Sequence, residues 1–148
     1  MSVREEGAAK MMYLTDIYAV NIDEPDQSTA VDWHCAGLDW SNPFLRDAGE
    51  SVFGELGIYY RDLEVCGHRY SGMVASHVRA CLDMMELGHI ERARGMREDF
   101  IGNEALTGLV LREALRLRSC PHWPAIDELM GREYGCAWLD AKEAYDVI

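Results

Sequence analysis

Lysine and arginine are missing from a long stretch near the start of this sequence. Residues 11–45 contain six aspartates or glutamates and no lysine or arginine. Over all 148 residues the net charge is −12. A chain with this charge is repelled by the phosphates of nucleic acids and by anionic lipids. We therefore expect neither direct nucleic-acid binding nor attachment to a membrane surface.

Long apolar runs are missing as well. No stretch approaches the roughly 20 apolar residues that a transmembrane helix needs, and the opening MSVREEGAAK carries acids with no hydrophobic segment behind it. The five cysteines are an odd number, and a chain of this length buries enough surface to fold without disulfides. These features predict a cytoplasmic protein with free thiols.

The common catalytic motifs are also absent. The sequence contains no G-x-S-x-G nucleophile elbow, no H-E-x-x-H zinc motif, no P-loop and no G-x-G-x-x-G dinucleotide fingerprint. Nothing in the sequence therefore nominates an enzyme, and no residue is assigned a catalytic role. No cofactor is expected, with zinc as the one alternative discussed below.

Apolar residues are plentiful enough to build one core. They make up 49% of the chain, which predicts a single globular domain over residues 1–148. Aromatic and β-branched residues predict strands over 13–22 and 56–65, paired with each other. The expected fold class is α+β and mostly helical, with a small N-terminal antiparallel sheet packed against a C-terminal layer of about four helices.

Helical spacing of the apolar residues dominates the second half of the sequence. Apolar positions that recur every three or four residues, together with Gly88, Asn103 and Pro124 as end signals, predict helices over 70–88, 90–101, 103–118, 124–135 and from 140 onward. A short helix is also predicted over 29–38. Another is predicted to begin at Pro43, with Ser41 or Asn42 as its N-cap.

The segment VDWHCAGLDW (31–40) contains two Asp-Trp pairs seven residues apart. In a helix, Trp33 and Trp40 would lie on one face and Asp32 and Asp39 on the adjacent one. In one interpretation the tryptophans pack inward and the aspartates face solvent. In the other, the tryptophans are exposed beside the acids and form a binding patch, because tryptophan is enriched at interaction hot spots.

The leading functional hypothesis is a small acidic protein that binds a basic protein partner. An acidic surface is steered toward a positively charged groove, as in immunity proteins of nucleases, antitoxins, and anti-restriction or anti-CRISPR proteins. Such a protein would act as an inhibitor of a nucleic-acid-processing partner. The predicted partner-binding residues are the acids and tryptophans of the base-free stretch: Asp23, Glu24, Asp26, Asp32, Trp33, Asp39 and Trp40.

The alternative hypothesis is a zinc-dependent small enzyme or regulator. Two Cys-x-His pairs, C-G-H and C-P-H, supply four ligands of the types that zinc prefers. The predicted metal ligands are Cys66, His68, Cys120 and His122. The spacing is narrower than in most zinc sites, so ordinary buried thiols and loop histidines also explain these residues.

A third hypothesis is an adaptor subunit. Met73, Met84 and Met85 lie in one predicted helix. Flexible methionine side chains can line an adaptable groove for a partner helix. Core packing explains the same methionines equally well.

Overall fold

The computed structural model describes residues 10–24 and 37–147 of the chain. These residues form an α+β fold that is mostly helical, with a four-stranded sheet from the N-terminal half and helices from the C-terminal half. The predicted fold class is therefore confirmed. The helix predicted over 29–38 lies almost entirely outside the described residues. Within those residues, no helix has the length and apolar character needed to span a bilayer.

The sheet, predicted to be antiparallel, is mixed. Its four strands, in the spatial order β2-β1-β4-β3, are β1 Met12–Leu14, β2 Leu45–Asp47, β3 Ile58–Val65 and β4 His68–Ala75. Strand β1 runs antiparallel to β2 and parallel to β4, whereas β3 and β4 are antiparallel. The long connection between β1 and β4 makes the parallel pairing possible, because parallel neighbours cannot be joined by a tight turn.

Residues 56–65 pair with the strand that follows them and not with 13–22, so that predicted pairing is wrong. Strands β3 and β4 are joined by Cys66 and Gly67, whose φ angles are 49° and 80°. Two successive residues with positive φ are typical of the type I′ turn of a tight hairpin. The turn sends the chain back along β3, and the residues predicted to begin a helix at Tyr70 form β4 instead.

Strand β1 is much shorter than the strand predicted over 13–22. Asp16 has a φ of 62°, in the left-handed region, and an extended strand cannot continue through it. The following residues, Ala19–Asn21, form a buried 3-10 turn. The apolar side chains of this segment therefore reach the core from a turn.

The helix predicted to begin at Pro43 is also wrong, because this part of the chain forms β2. Tyr13 of β1 lies opposite Arg46 of β2. Arg46 is buried, whereas its neighbour Leu45 is exposed. Capping and proline signals bias a helix start by only about 1 kcal/mol, and the strand pairing and burial of Arg46 outweigh them.

Four α-helices follow the sheet in the described part of the chain: α1 His77–Leu87, α2 Thr107–Ala114, α3 Trp123–Tyr134 and α4 Cys136–Val147. Helix α1 begins where the Ser76 hydroxyl oxygen accepts a hydrogen bond from the backbone N–H of Arg79. It ends as predicted at Gly88, which has a φ of 86°. Pro124 lies in the first turn of α3, as predicted.

The helix predicted over 90–101 consists of two shorter pieces. Ile90–Ala93 is a 3-10 turn and Met96–Ile101 is a π-helical turn. Gly95 separates them with a φ of 82°, which interrupts a continuous α-helix. Asn103 then caps the next turn, where its side-chain oxygen accepts a hydrogen bond from the backbone two residues on.

Helix α1 lies in the centre of the hydrophobic core. All of its residues from His77 to Met85 are buried. Met84 and Met85 are fully buried, so these two side chains pack the core and do not line an exposed groove. Met73 is half-buried on β4.

Candidate interaction surface

A fully buried carboxylate, that of Asp83 on α1, binds four side chains. Its Oδ2 accepts hydrogen bonds from the hydroxyls of Tyr13 (2.5 Å) and Thr15 (2.7 Å). Its Oδ1 accepts from Arg46 Nη1 (2.6 Å) and Arg79 Nε (3.0 Å). Both oxygens are therefore saturated, and this carboxylate has no remaining capacity for a ligand.

Arg79 is a second fully buried charge in this cluster. Its Nη1 donates to the carbonyl oxygen of Leu56 at 2.6 Å, and its Nη2 donates to the Tyr13 hydroxyl at 2.9 Å. Its guanidinium group also lies over the rings of Tyr13 and Phe53. Burial, together with the nearby Asp83 charge, raises the pKa of the Tyr13 phenol, which stays neutral and can donate.

Arg46 connects this cluster to β2 and to the turn after it. Its Nη1 also lies 3.0 Å from Oε1 of Glu86. Glu86 in turn accepts hydrogen bonds from the Ser51 hydroxyl (2.8 Å) and from the backbone N–H of Val52 (3.0 Å). These ion pairs and hydrogen bonds thus hold β2 and residues 48–52 against α1.

The alternation of side chains along β2 exposes the residues next to Arg46. Because successive strand residues point to opposite faces, Leu45 is exposed while Arg46 is buried. Leu45 lines a surface hollow of about 490 Å³ with the exposed apolar side chains of Met12 and Phe44. Asp47 and Glu50 lie at the same hollow, together with the residues Lys10, Arg46 and Leu87.

A second hollow, of about 380 Å³, adjoins the first one. The two share Arg46 and Glu50, and the second also includes Val52, which is 50% exposed, and Arg116. Half of the large exposed apolar side chains recorded in the described residues therefore lie along these two hollows. We use the name β2 surface for the half-buried Asp47 and these exposed residues of the region: Met12, Phe44, Leu45, Glu50 and Val52.

Charges of both signs line the first hollow: the carboxylates of Asp47 and Glu50 and the cations Lys10 and Arg46. Cations elsewhere in the described ranges are mostly paired with carboxylates of the same chain, as in Arg69–Asp62, Arg92–Asp16, Arg94–Glu91, Arg97–Glu104, Arg116–Glu113, Arg132–Glu128 and Lys142–Asp127. Asp47 and Glu50 form no ion pair with another described residue. The Asp47 carboxylate instead accepts a hydrogen bond from the backbone N–H of Gly49 at 3.0 Å.

The predicted partner-binding residues divide into two groups. Asp26, Asp32 and Trp33 lie outside the described residues. Of the other four, Asp23 and Asp39 are exposed, Glu24 is half-buried and Trp40 is 7% exposed.

Trp40 packs inside the domain. Its ring meets that of Tyr18 edge to face, with centroids 4.9 Å apart. This placement agrees with the interpretation in which the tryptophan points inward, and it leaves Trp40 little area for a partner. The neighbouring Asp39 stays at the surface, where hydrogen bonds from the Ser41 hydroxyl and backbone lower its pKa.

Glu24 has a local partner as well. Its Oε1 accepts a hydrogen bond from the backbone N–H of His77, at 3.0 Å. Its carboxylate therefore accepts a hydrogen bond at the first turn of α1, where a negative charge is favourable. Of the predicted acids that the structure describes, Asp23 and Asp39 are the ones left on the surface.

The structure does not bring the two Cys-x-His pairs together. Cys66 and His68 lie exposed at the β3–β4 turn. Cys120 donates from Sγ to the carbonyl oxygen of Glu86, and the His122 ring lies beside the end of α1. Among residues 10–24 and 37–147, no group of three or more His, Cys, Asp or Glu side chains is placed to hold a metal ion. Zinc binding stays a prediction.

The chain was compared with protein-family models, curated proteins and solved structures, and no match was found. The β2 surface was not predicted from the sequence, because the residues after Pro43 were expected to form a helix. One signal for it was present: the apolar pair Phe44 and Leu45 lies within a few residues of the acids Asp47 and Glu50.

Proposed function

We propose that this protein is a small acidic inhibitor that binds a basic, nucleic-acid-processing protein, as immunity proteins, antitoxins and anti-restriction or anti-CRISPR proteins do. The observation that carries the proposal is the β2 surface, where exposed apolar side chains adjoin carboxylates with no cationic partner in the described residues. Apolar contact supplies binding energy and carboxylates select a cationic partner.

Rigidity supports this role for the β2 surface. Leu45 and Asp47 flank Arg46, which is fixed to Asp83 and Glu86 on α1. A surface held in place before binding loses less conformational entropy on association than a mobile one. The buried charge cluster thus holds the outward side chains of β2 in position before a partner binds.

Charge supports the basic character of the partner. The chain carries −12 in total. The exposed acids Asp23, Asp39 and Glu50 and the half-buried Asp47 lie in its first 50 residues. Such a field speeds encounter with a positively charged groove at low ionic strength. It also repels nucleic acid itself, so the partner would be the protein that handles the nucleic acid.

The free cysteine thiols support a cytoplasmic location for the protein. Cys66, Cys81, Cys120 and Cys136 are free thiols. Free thiols persist in a reducing compartment. An inhibitor of a nucleic-acid-processing protein would also meet its target there.

The experiment that tests this function begins with the tagged chain, purified gently from its host under reducing conditions at low salt. Native mass spectrometry identifies a bound partner, and the association rate is then measured across salt concentrations. We expect a basic partner whose association slows as salt rises. We also expect the partner's nuclease or nucleic-acid-binding activity to fall when the complex forms.

Charge reversals on the β2 surface provide the site-specific part of the test. Asp47→Lys and Glu50→Lys should each slow association, and Phe44→Ala should speed dissociation. The matched control is Glu143→Lys, an exposed acid on α4 with the same change in net charge. An acidic partner, an association rate independent of salt, or an equal effect of the control variant would contradict the proposal.

A further inference from the structure

Strand β3 lies at the opposite edge of the sheet from β2, and its outer side has no neighbouring strand among residues 10–24 and 37–147. Two tyrosines of this strand are highly exposed: Tyr59 to 60% and Tyr60 to 64%. A long open edge offers unpaired backbone N–H and C=O groups to another strand. We propose that β3 pairs antiparallel with β3 of a second copy of this chain, so that the protein forms a symmetric dimer.

The hydrogen bonds to β4 determine which backbone groups of β3 are free. The N–H of Ser76 donates to the carbonyl oxygen of Gly57 at 2.7 Å, so these two residues form a hydrogen-bonded pair. In an antiparallel ladder such pairs alternate with pairs that are not hydrogen-bonded. Every second residue of β3, from Tyr59 onward, therefore directs its N–H and C=O groups toward β4. The groups that point to the open edge are those of the residues in between: Tyr60, Asp62 and Glu64.

The charged side chains of β3 restrict the register of a symmetric pair. In such a pair one residue lies opposite its own counterpart. Arg61 or Asp62 in that position would place two like charges opposite each other, which destabilises a sheet. Leu63 in that position would bring Asp62 opposite Glu64, again two like charges. Tyr60 at the centre avoids these contacts and places one aromatic ring beside another.

Charge complementarity favours the register centred on Tyr60. It places Arg61 of each copy opposite Tyr59 of the other copy. Side chains directly opposite in an antiparallel pair have Cβ atoms about 5 Å apart, and at this range the negative face of an aromatic ring attracts a guanidinium group. Arg61 forms no ion pair with another described residue, and its Nη2 lies 3.4 Å from the carbonyl oxygen of Asp23. A register centred on Tyr59 would place Arg61 opposite Gly57 and lack the contact with a ring.

The backbone groups also match in the register centred on Tyr60. Tyr60 exchanges both backbone hydrogen bonds with its counterpart, and the N–H of Asp62 meets the carbonyl oxygen of Ile58 in the second copy. The N–H of Ile58 needs no acceptor there, because it donates to the carbonyl oxygen of Glu55 at 3.3 Å. Asp62 adds no unbalanced charge, since its carboxylate lies 3.0 Å from the guanidinium group of Arg69.

The first test is the mass of the whole protein in solution, measured by analytical ultracentrifugation under reducing conditions that prevent a disulfide through the exposed Cys66. We expect a reversible equilibrium between monomer and dimer, because contact along one edge strand is smaller than the roughly 1,600 Å² of a standard interface. Each copy carries −12, so the copies repel each other and added salt should strengthen the dimer. Binding of a basic partner at the β2 surface has the opposite salt dependence.

Charge-swap variants test the register, because Tyr60 lies opposite its own counterpart. Tyr60→Lys and Tyr60→Glu should each weaken the dimer by about tenfold or more, since the ring pair is lost and like charges face each other. An equimolar mixture of the two variants should recover a dimer that contains one copy of each, as identified by native mass spectrometry. The matched controls are Leu139→Lys and Leu139→Glu, which make the charge change at a side chain on α4 that is 57% exposed. They should leave the dimer unaltered.

Amide hydrogen exchange tests which backbone groups the dimer covers. We expect the N–H groups of Tyr60 and Asp62 to become protected as the protein concentration rises. The N–H of Arg61 is directed toward β4 and should be protected in the monomer as well. Protection that does not change with concentration at Tyr60 and Asp62 would place the contact elsewhere on the molecule.

Three further results would overturn the dimer through β3. One is a monomeric mass at every concentration up to the millimolar range. Another is an equal effect of the Tyr60 and Leu139 variants, and the third is a mixture of the Tyr60 variants that stays monomeric. Tyr60 is exposed, so its variants are expected to fold, and circular dichroism checks this. The measurements require no other protein, and β2 lies at the other edge of the sheet, so their outcome is independent of the function proposed for the β2 surface.

Discussion

Arg46 on β2 and Asp83 on α1 form an ion pair although both side chains are almost completely withdrawn from solvent. Nη1 of Arg46 lies 2.6 Å from Oδ1 of Asp83, and their exposed fractions are 8% and 0%. The same carboxylate binds Arg79. We expect Asp83→Ala to lower the free energy of unfolding by about 3–5 kcal/mol, because buried guanidinium groups lose their counter-charge.

Urea denaturation measures this loss. The control is Asp62→Ala, which removes an aspartate that pairs with Arg69 at the surface. Solvent and salt screen that pair, so we expect little change in stability. If both variants were destabilised equally, the buried cluster would not be the main anchor of β2.

His77, at the first turn of α1, connects two distant parts of the backbone. Its Nδ1 lies 2.7 Å from the carbonyl oxygen of Phe100 and its Nε2 lies 2.6 Å from that of Ile22. A ring nitrogen that carries a proton donates to the carbonyl oxygen that it faces, and the tautomer decides which nitrogen does so. We expect a slowly exchanging ring proton in NMR spectra. His77→Phe should cost about 1–3 kcal/mol for each carbonyl that loses its donor.

Thermal and urea unfolding of His77→Phe measure that cost. His68→Phe is the matched control, since His68 is exposed at the β3–β4 turn. Surface substitutions of this kind usually change stability by less than about 0.5 kcal/mol. A native-like stability of His77→Phe would show that the two carbonyls find other donors.

We expect substitution of glycine by alanine to have opposite effects on stability at Gly88 and at Gly108. Gly88 has a φ of 86°, and a Cβ atom there would lie 2.6 Å from the His122 ring. Gly88→Ala should therefore destabilise the protein by about 1 kcal/mol or more. Gly108 lies in α2 with nothing within 4 Å of its Cβ position, so Gly108→Ala should stabilise it by about 0.4–1 kcal/mol. Melting temperatures that move in the same direction would contradict this prediction.

The cysteines should differ in their reactivity toward iodoacetamide. Burial, together with nearby carboxylates such as that of Asp16, raises the pKa of the Cys81 thiol. Because the thiolate is the reactive form, Cys81 should stay unmodified in the folded protein. Cys66 and Cys136 are exposed and should be alkylated. Peptide mass spectrometry measures each site, and reaction of Cys81 at the rate of Cys66 would contradict its burial.

Local sequence signals predicted several helix ends correctly. Gly88 ends α1, Pro124 lies in the first turn of α3 and Asn103 caps the turn before α2. These signals depend on the backbone preferences and hydrogen bonds of residues within a few positions of each other. These helix ends can therefore be predicted without knowledge of the rest of the fold.

The strands and the candidate site were harder to predict. The partners of β1 come from residues far along the chain, and Arg46 meets Asp83 across a separation of 37 residues. Apolar residues also recur at helical spacing through β4. This strand was therefore predicted to be the first part of α1. Such pairings depend on contacts that no local pattern records, so the apolar pair Phe44 and Leu45 did not by itself indicate an exposed strand.

The sequence by itself determined the negative charge, the mostly helical composition and several of the helix ends, because each follows from residue types and their near neighbours. Tertiary structure decided that Trp40 is buried, that Arg46 points inward and that Leu45 and Asp47 consequently point outward. The physical reason is that capping and propensity are each worth about 1 kcal/mol, whereas burial and pairing of a charged side chain involve several kcal/mol. Where the two conflicted, after Pro43, the long-range contacts prevailed.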